Sequence, residues 1–542
     1  MMSLSGGAAN RSDAEGSGIR PGSLRSLLTE TSTFVRIAEL VPIRGPLSKE
    51  EADRIVSYAR ALAASGAAHA LSITDNAGGA PKIAPESIGM KLLEAGQEVI
   101  IHVSCKDLNR SGLESRAWTL ASSGFENILA ITGDYQVPAY RGRAEPVFDM
   151  DSVSLLDLLH KMSVGLEQPV VRKSDPPTLP PTGFFLGAGV SPFKQQEREL
   201  MPQYYKLMAK IAAGAEFIIT QTGYDSRKFS ELIRFMELRG VSVPTIANIF
   251  LLTGSVARFF HKGNVAGVVV SDDLLALAEK QAASPDKGKK FFHEFAAKQI
   301  AVAKGAGYRG AYLSGHLKPE EFEAIFALAD SYSESDRQSF AKEIQFPQPG
   351  EFYLFEQDPD TDLSSGELNR GYLASLDPQQ RRALRDRVPI LYKINRAVHG
   401  AVFDRKSSGF RRAKRFYGSV DNKATASHWL AAFEQAVKIP MFGCRDCGDC
   451  SLPDIAYLCP MSACIKDQRN GPCGGSHQGR CESAEKDCVW ALAYERLKAY
   501  GEEEGMLDRP PILRDHALRG TSSWANTFLD RDHFAPKPEK PS

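Results

Sequence analysis

Three stretches of this chain, HALSITD (69–75), EVIIHVSC (98–105) and NILAITGD (127–134), decide its fold. Each is a short, almost continuously apolar run that is rich in β-branched residues. Such runs are typical of parallel strands that are buried on both faces of a sheet. Five further runs share the pattern: FVRIAELVP (34–42), GFFLGAG (183–189), AEFIITQ (215–221), VSVPTIANIF (241–250) and GAYLSG (310–315). The pattern therefore predicts eight parallel strands.

Longer helical patterns separate these runs. In SKEEADRIVSYARALAASG (48–66), Ser48 and Glu51 have capping-box spacing and Gly66 supplies a stop signal. Eight β/α units predict an α/β fold, a (β/α)8 TIM barrel, and the runner-up is a doubly wound open sheet. AGVVVSD (266–272) predicts a short ninth strand before the last helix.

The chain is too long for one domain. At 542 residues it exceeds the roughly 250–300 at which single cores stop growing. We predict a disordered tail (1–28), a (β/α)8 barrel (29–335), a helical connector (336–438), a small cysteine-rich metal- or cluster-binding domain (439–500) and an extended C-terminal arm (501–542).

The composition argues against several classes of partner. Sixty-six basic residues balance 66 acidic ones, whereas nucleic-acid and membrane-surface partners need a basic excess. The N-terminus has no apolar core for a signal peptide, and no stretch approaches the roughly 18 apolar residues of a membrane span. We expect a cytoplasmic protein with no nucleic-acid or membrane partner.

Polar residues gather at the ends of several predicted strands, where barrel enzymes carry their chemistry. They are Glu39, Thr74, Asp75, His102 to Cys105, Thr132, Gly133, Asp134 and Gln221. Glu39 interrupts an apolar strand, where loss of water raises a carboxyl pKa and suits the group to general-acid work. The alternative is a structural ion pair with Arg36 or Arg44.

The other candidates also have structural interpretations. His102 suits a hydrogen-bonded core histidine, and Asp134 could cap the next helix. Gln221 could bond to backbone inside the barrel mouth, and Cys105 is a small buried residue by this pattern.

Eight of the nine cysteines lie between Cys444 and Cys488. Because a cytosolic chain keeps its thiols reduced, this density predicts a metal site more than disulfides. The opening triplet with x2 spacing resembles bacterial ferredoxin motifs, whereas structural zinc favours pairs. We therefore expect a [4Fe–4S] cluster or zinc, with the later cysteines completing one site or forming a second. The predicted ligands are Cys444, Cys447, Cys450, Cys459, Cys464, Cys473, Cys481 and Cys488.

The strand ends also carry a family resemblance. AELVP, LSITD, IHVSCKDLNR, NILAITGD and AGAEFIITQ, in this order, resemble the methylenetetrahydrofolate reductase family, a flavin-binding (β/α)8 barrel, over roughly residues 30–320. The cysteine segment is similar to the C-terminal domain that accompanies some bacterial reductases of this family. The matching elements are CG-C, CP, NGPCGG and the final C-x-W, Cys488 to Trp490.

The resemblance implies reduction of 5,10-methylenetetrahydrofolate to 5-methyltetrahydrofolate by hydride transfer from a bound reduced flavin (FAD). Glu39 matches the acid that protonates N10 and opens the ring to the 5-iminium. Asp134 matches the carboxylate beside flavin and pterin, and Gln221 the side chain that binds the pterin. The positions that match the flavin site are Thr74, His102, Thr132, Gly133, Asp134 and, near the phosphates, Lys210.

The chain departs from the family pattern in two places. Thr132 stands where the family has an arginine, and Ala188-Gly189-Val190 stands where it has Ala-Tyr-Pro. A flavin-free reaction with NADH is therefore an alternative to FAD. The electron donor is expected to be NADH or a ferredoxin-like partner, and a homo-oligomer is compatible with the sequence. Two other functions stay open: a non-catalytic electron-transfer or assembly subunit, and a folate- or corrinoid-linked methyltransferase.

Overall fold

A computed structural model describes residues 19–167, 178–507 and 509–536 of the chain. The first 18 residues of the predicted tail and residues 537–542 of the predicted arm lie outside the described residues.

Eight parallel strands close into a barrel in sequence order. They are β1 (Val35–Leu40), β2 (Ala70–Ile73), β3 (Val99–Ser104), β4 (Asn127–Ile131), β5 (Phe185–Val190), β6 (Phe217–Thr220), β7 (Thr245–Phe250) and β8 (Gly310–Ser314). Strand β1 pairs with β2 on one side and with β8 on the other, which excludes an open sheet. The predicted TIM barrel is confirmed.

Helices surround this barrel. They are α1 (Leu24–Thr29), α2 (Lys49–Ala64), α3 (Pro85–Glu94), α4 (Arg110–Ser122), α5 (Ser152–Val164), α6 (Glu197–Ala212), α7 (Ser226–Leu238), α8 (Gly254–His261), α9 (Asp272–Ala282), α10 (Lys289–Gly305) and α11 (Pro319–Ser331). The capping box of Ser48 and Glu51 at the start of α2 is confirmed. The predicted ninth strand is wrong, because Ala266 and Gly267 form a turn, residues 268–271 are irregular and Asp272 begins α9.

Helix α1 corrects the predicted disordered tail for residues 19–28. Its apolar side chains Leu24 and Leu28 are buried against Val35, Ile37 and other inward-facing strand residues. Ser23 caps the helix by accepting from the amide of Ser26. The segment is short and flanked by polar residues, so its own sequence does not predict a helix. The apolar surface at the open end of the barrel, which the helix covers, stabilises it.

We predicted a helical connector, but the connector is not purely helical. It holds α12 (Glu334–Glu343), β9 (Phe355–Gln357), β10 (Ser364–Leu368), α13 (Arg370–Ser375), α14 (Pro378–Arg387), α15 (Ile390–Val398), α16 (Ser408–Val420) and α17 (Ala424–Phe442). Strands β9 and β10 form an antiparallel hairpin that packs on α7, where the amide of Ser364 donates to Ser230 Oγ at 2.9 Å. Strands of three and five residues are too short to show an alternating pattern.

The cysteine module is mostly irregular and contains α18 (Pro460–Ala463), β11 (Ser476–His477), β12 (Arg480–Cys481) and α19 (Val489–Lys498). The C-terminal segment is only partly the extended arm that we predicted, because it includes helix α20 (Ser523–Phe528). Phe528 of α20 is buried against Phe410 and Tyr417 of α16. Across the residues that the structure describes, no helix has the length and apolarity needed to cross a membrane.

Candidate active site at the barrel mouth and its cysteine-rich cover

Glu39 lies on β1 inside the barrel and faces strand β8. The hydroxyl of Tyr312 donates to Glu39 Oε1 at 3.3 Å, and Ser314, on the same face two residues later, is a second hydrogen-bonding neighbour. Burial raises the pKa of Glu39, although the Tyr312 bond and the positive Lys82 act in the opposite direction. The ion-pair alternative with Arg36 is not formed, because Arg36 pairs with Asp330 at 2.5 Å.

His102 on β3 belongs to the same polar network. Its Nε2 is 2.8 Å from Ser72 Oγ, and its ring centroid lies 6.5 Å from that of Tyr312. Burial lowers the pKa of His102 to about 4, so the ring is neutral near pH 7. A chain of polar side chains thus runs from Glu39 through Tyr312 and Ser72 to His102.

One loop, residues 74–84 after β2, borders both predicted catalytic carboxyls. The amide of Gly78 in this loop donates to Asp134 Oδ2 at 2.7 Å. Lys82, later in the same loop, is the positive neighbour of Glu39. Asp134 therefore does not cap the next helix, because its carboxylate is held across the mouth by the β2 loop.

The ends of β2, β3 and β4 carry positions that are predicted to contact a flavin. Among the described residues, the buried hydroxyls of Thr74 and Ser104 have no hydrogen-bond partner. Gly133 packs closely against Ser104, since a Cβ there would lie only 3.1 Å from the Cβ of Ser104. Thr132 points toward the start of α5, where its Oγ1 lies 3.4 Å from Ser152 Oγ.

Two other strand-end residues have structural roles. Asp75 is buried and forms an ion pair with Arg116 at 2.8 Å while accepting from the amide of Ser104 at 3.0 Å. Cys105 is fully buried, as we predicted, and burial raises its pKa.

Lys210 and Gln221 are engaged by nearby backbone. Lys210 Nζ donates to the carbonyl of Gly189, and burial lowers its pKa to about 7. Its contact with flavin phosphates stays a prediction. Gln221 Nε2 donates to the carbonyl of Ala266 at 3.0 Å and its Oε1 accepts from the amide of Thr222 at 2.9 Å. Its role in pterin binding stays a prediction.

The cysteine module packs against this end of the barrel. The amide of Asn470 donates to Asp151 Oδ2 at 2.9 Å, and Lys206 Nζ donates to the carbonyl of Gly471 at 3.0 Å. Gly471 has φ of +109°, and a Cβ at this position would lie 2.9 Å from the side chain of Lys206. Only glycine allows so close an approach of the loop to α6.

Two charged residues of the module enter the mouth. Lys466 is buried and its Nζ donates to the carbonyl of Gly133 at 3.1 Å, beside Asp134. Glu482 lies 3.8 Å from Lys466 and accepts from the backbone of Gly267. Burial raises the pKa of Glu482, and the positive Lys466 opposes that rise. The mouth is therefore built from both parts of the chain.

The eight clustered cysteines separate into two sets of four. Set one lines a single cavity, together with Lys438 and Arg469, and consists of Cys444, Cys447, Cys450 and Cys459. Lys438 Nζ lies 3.3 Å from Cys450 Sγ, and Arg469 Nη2 lies 3.6 Å from Cys447 Sγ. Cations at these positions favour thiolates.

Set two is closer to the barrel and consists of Cys464, Cys473, Cys481 and Cys488. Burial raises the pKa of Cys464 to about 12, and Cys473 and Cys488 add to the rise. Burial likewise raises the pKa of Cys488 to about 11, with contributions from Cys473 and Cys481. These mutual effects indicate that the four thiols are neighbours. In 19–167, 178–507 and 509–536, no three His, Cys, Asp or Glu side chains converge to hold one metal ion.

Sequence reasoning missed five residues of this mouth: Ser72, Lys82, Tyr312, Lys466 and Glu482. Tyr312 had a signal, since it is the one aromatic in the small-residue strand GAYLSG. Lys466 had none, because its contact with Gly133 joins residues 333 positions apart.

The closed barrel, its carboxyl-bearing mouth and the cysteine module define a two-part (β/α)8-barrel protein. A family model described as methylenetetrahydrofolate reductase matches residues 38–308, and one described as methylene-tetrahydrofolate reductase C terminal matches residues 424–515. The chain belongs to the methylenetetrahydrofolate reductase family and carries this C-terminal domain, which confirms the resemblance of its strand ends and cysteine segment.

A solved structure and the curated proteins were also compared with the chain. The chain is similar to an uncharacterized protein from Clostridium thermocellum described as binding two copies of 5-methyl-5,6,7,8-tetrahydrofolic acid. The identity is 14%, the match covers 56% of this chain and 96% of that chain, and the TM-score is 0.38. No curated protein matches the chain. The family match supports a folate-related reductase in general terms.

Proposed function

We propose that this chain reduces 5,10-methylenetetrahydrofolate to 5-methyltetrahydrofolate. The bond from the bridging carbon to N10 breaks as N10 takes a proton, which leaves a cationic 5-iminium. A hydride then forms the new C–H bond at that carbon. The two electrons come from the hydride donor, and the proton stays on N10.

Glu39 carries this proposal as the acid that protonates N10. A general acid must be protonated at the working pH, and burial raises the pKa of Glu39 in that direction. Tyr312 and Ser314 hold the carboxyl in the barrel mouth, so its orientation is fixed before substrate binds. After the transfer, Glu39 regains its proton from solvent.

Asp134 is proposed to stabilise the iminium. Its carboxylate is fixed by the amide of Gly78 at 2.7 Å, which supports a negative charge of defined position in a partly buried mouth. Such a preorganised charge favours the cation more than it would in water. Gln221 keeps a second N–H and a second lone pair for a pterin after its two backbone bonds.

A flavin is the proposed hydride donor, and NADH is the alternative. When bound, a reduced flavin supplies the hydride. The hydroxyls of Thr74 and Ser104, which have no hydrogen-bond partner among the described residues, would hold its ring. His102 stays neutral there because its pKa is about 4, so it adds no cation to the iminium. Lys466 brings a positive charge into the barrel mouth next to Gly133. The neighbouring Thr132 stands where the family has an arginine.

For the module we propose two [4Fe–4S] clusters, with zinc as the alternative. Zinc needs four thiolates around one atom at about 2.3 Å, whereas each thiolate of a four-iron cluster binds its own iron. Set one lines a cavity without converging on a point, which supports the larger group.

The test is oxidation of 5-methyltetrahydrofolate by the purified chain with an artificial electron acceptor. Glu39→Gln keeps the size of the side chain but removes the acid, so we expect a loss of about 10²-fold or more in rate. Binding of 5-methyltetrahydrofolate should change little, since that ligand is already open at N10.

Glu50→Gln, on the exposed side of α2, is the matched control and should keep full activity. Full activity of Glu39→Gln would remove Glu39 from the acid role. Methyl transfer to cobalamin without redox change, in place of oxidation, would contradict the reductase and favour a methyltransferase.

A further inference from the structure

Ten of the eighteen large hydrophobic side chains that are exposed in the described residues lie between residues 373 and 441. Most of them fall on two helices of the connector. On α15, Ile390, Ile394 and Val398 follow each other at intervals of four residues, and Ile390 is 76% exposed. Residues at this spacing share one helix face, so α15 presents an apolar stripe to solvent.

Helix α17 presents a second stripe. Trp429, Phe433 and Met441 are exposed at intervals of four and eight residues, and Trp429 is 72% exposed. Side chains of both stripes line one cavity, which Ile394 and Val398 enter from α15 and Phe433 and Met441 from α17. We name the two stripes and the cavity between them the connector groove. Contiguous apolar surface of this kind marks an interaction site.

The connector groove reaches set one of the thiols. Cys450 and Lys438 line the same cavity, and Lys438 Nζ lies 3.3 Å from Cys450 Sγ. A molecule seated in the groove would therefore lie against the thiol site that is farther from the barrel mouth.

The charge around the groove limits what can occupy it. Residues 378–420 hold twelve Lys and Arg but only two Asp, although the whole chain has 66 of each sign. Four of these cations form ion pairs with Glu502, Glu503 and Asp530, and they are Arg381, Arg396, Arg405 and Lys414. Arg411, Arg412 and Arg415 on α16 are exposed, and their side chains form no hydrogen bond or ion pair with the part of the chain that the structure describes. A second copy of this chain would bring a second basic surface to the first, and like charges repel. An acidic partner is attracted by the same surface.

We propose that the connector groove is the docking site of an acidic electron-carrier protein. Its apolar contact residues would fill the cavity, and its acidic rim would face α16. The carrier role rests on the proposed reductase function, because it assumes a redox group at set one. The docking itself depends only on the apolar and basic surface of the connector.

The test is binding of three purified acidic carriers to the immobilised full chain: a plant-type [2Fe–2S] ferredoxin, a bacterial two-[4Fe–4S] ferredoxin and a flavodoxin. We expect at least one to bind with a micromolar Kd at 50 mM salt. Raising the salt to 300 mM should weaken binding about tenfold or more, because screening shortens the reach of the basic surface.

Two double variants separate the apolar and the charged contributions. Ile394→Ser with Phe433→Ser, and Arg411→Glu with Arg415→Glu, should each weaken binding at least about tenfold. Phe259→Ser and Lys290→Glu are the matched controls, since both residues are exposed on barrel helices away from the groove. Because all these side chains are exposed, thermal unfolding should stay near that of the wild type.

Failure of all three carriers to bind would overturn the proposal, as would binding that neither double variant weakens. Light scattering that shows a dimer in the wild type and a monomer in Ile394→Ser with Phe433→Ser would assign the groove to a second copy instead. Oxidation of 5-methyltetrahydrofolate with an artificial acceptor needs no carrier, so failure of docking and failure of the reductase function are distinguishable.

Discussion

At the residue scale, Glu39, Tyr312, Ser72 and His102 form one buried polar chain across the barrel. Every contact in it joins side chains from different strands. Burial raises the pKa of Glu39 and lowers that of His102, so it favours the neutral form of both groups. A carboxyl that burial shifts toward its protonated form suits an acid that acts on a neutral folate.

Tyr312→Phe tests whether this row of polar side chains controls the pKa of Glu39. The Tyr312 hydroxyl stabilises the carboxylate and so lowers the Glu39 pKa. Without it the pKa rises further, and Glu39 stays protonated to higher pH. The alkaline limb of the pH–rate profile should therefore move upward. Tyr308→Phe, whose hydroxyl donates to Phe229 instead, should leave the profile in place. A limb that moves to lower pH would contradict this assignment.

At the element scale, the strands position the site and short local elements complete it. The β2 loop borders Glu39 through Lys82 and Asp134 through Gly78. Helix α1 closes the opposite end of the barrel with two leucines. The loop that contains Gly471 covers part of α6 and accepts a hydrogen bond from Lys206. These pieces are short, and each depends on an apolar or polar surface made by residues far away in the chain.

Leu28→Ala tests whether α1 stabilises the barrel. The side chain is 3% exposed and packs with inward-facing strand residues, so its removal leaves a cavity. We expect the free energy of unfolding to fall by about 2 to 5 kcal/mol. Leu238→Ala, at a position that is 52% exposed, should change it by less than about 0.5 kcal/mol. Urea unfolding of both variants measures the difference, and equal values would show that α1 is dispensable.

At the scale of the whole molecule, the cysteine module completes the barrel mouth. Lys466 and Glu482 reach Gly133 and Gly267, and Asn470 fixes the module to Asp151. Set two lies on this side, and set one lies beside the connector groove. The two parts of the chain therefore form one composite site and one exposed surface. Each of them lies next to a different set of thiols.

Metal analysis of single cysteine variants tests the division into two sets. With two [4Fe–4S] clusters the wild type should hold about eight iron atoms and about eight sulfides per chain. Cys447→Ser in set one and Cys481→Ser in set two should each lose about half of both, because each damages one cluster only. Cys105→Ser should keep the full content, since Cys105 is a buried residue that directly follows β3 and belongs to neither set. Loss of all metal from either variant would indicate a single joint site. Zinc without sulfide in the wild type would show that the module binds zinc and not iron–sulfur clusters.

The sequence by itself determined the barrel, because the strand pattern is local: each buried parallel strand shows its own apolar run, and each polar end follows it directly. It also determined the family and the thiol-rich module. Only the tertiary structure decided how Glu39 meets Tyr312, which thiols share a set, and that Lys466 enters the mouth. It also decided that α1, the β9–β10 hairpin and α20 form at all. Their segments are too short or too polar to carry a pattern, so packing against other elements of the fold supplies the free energy that local propensity lacks.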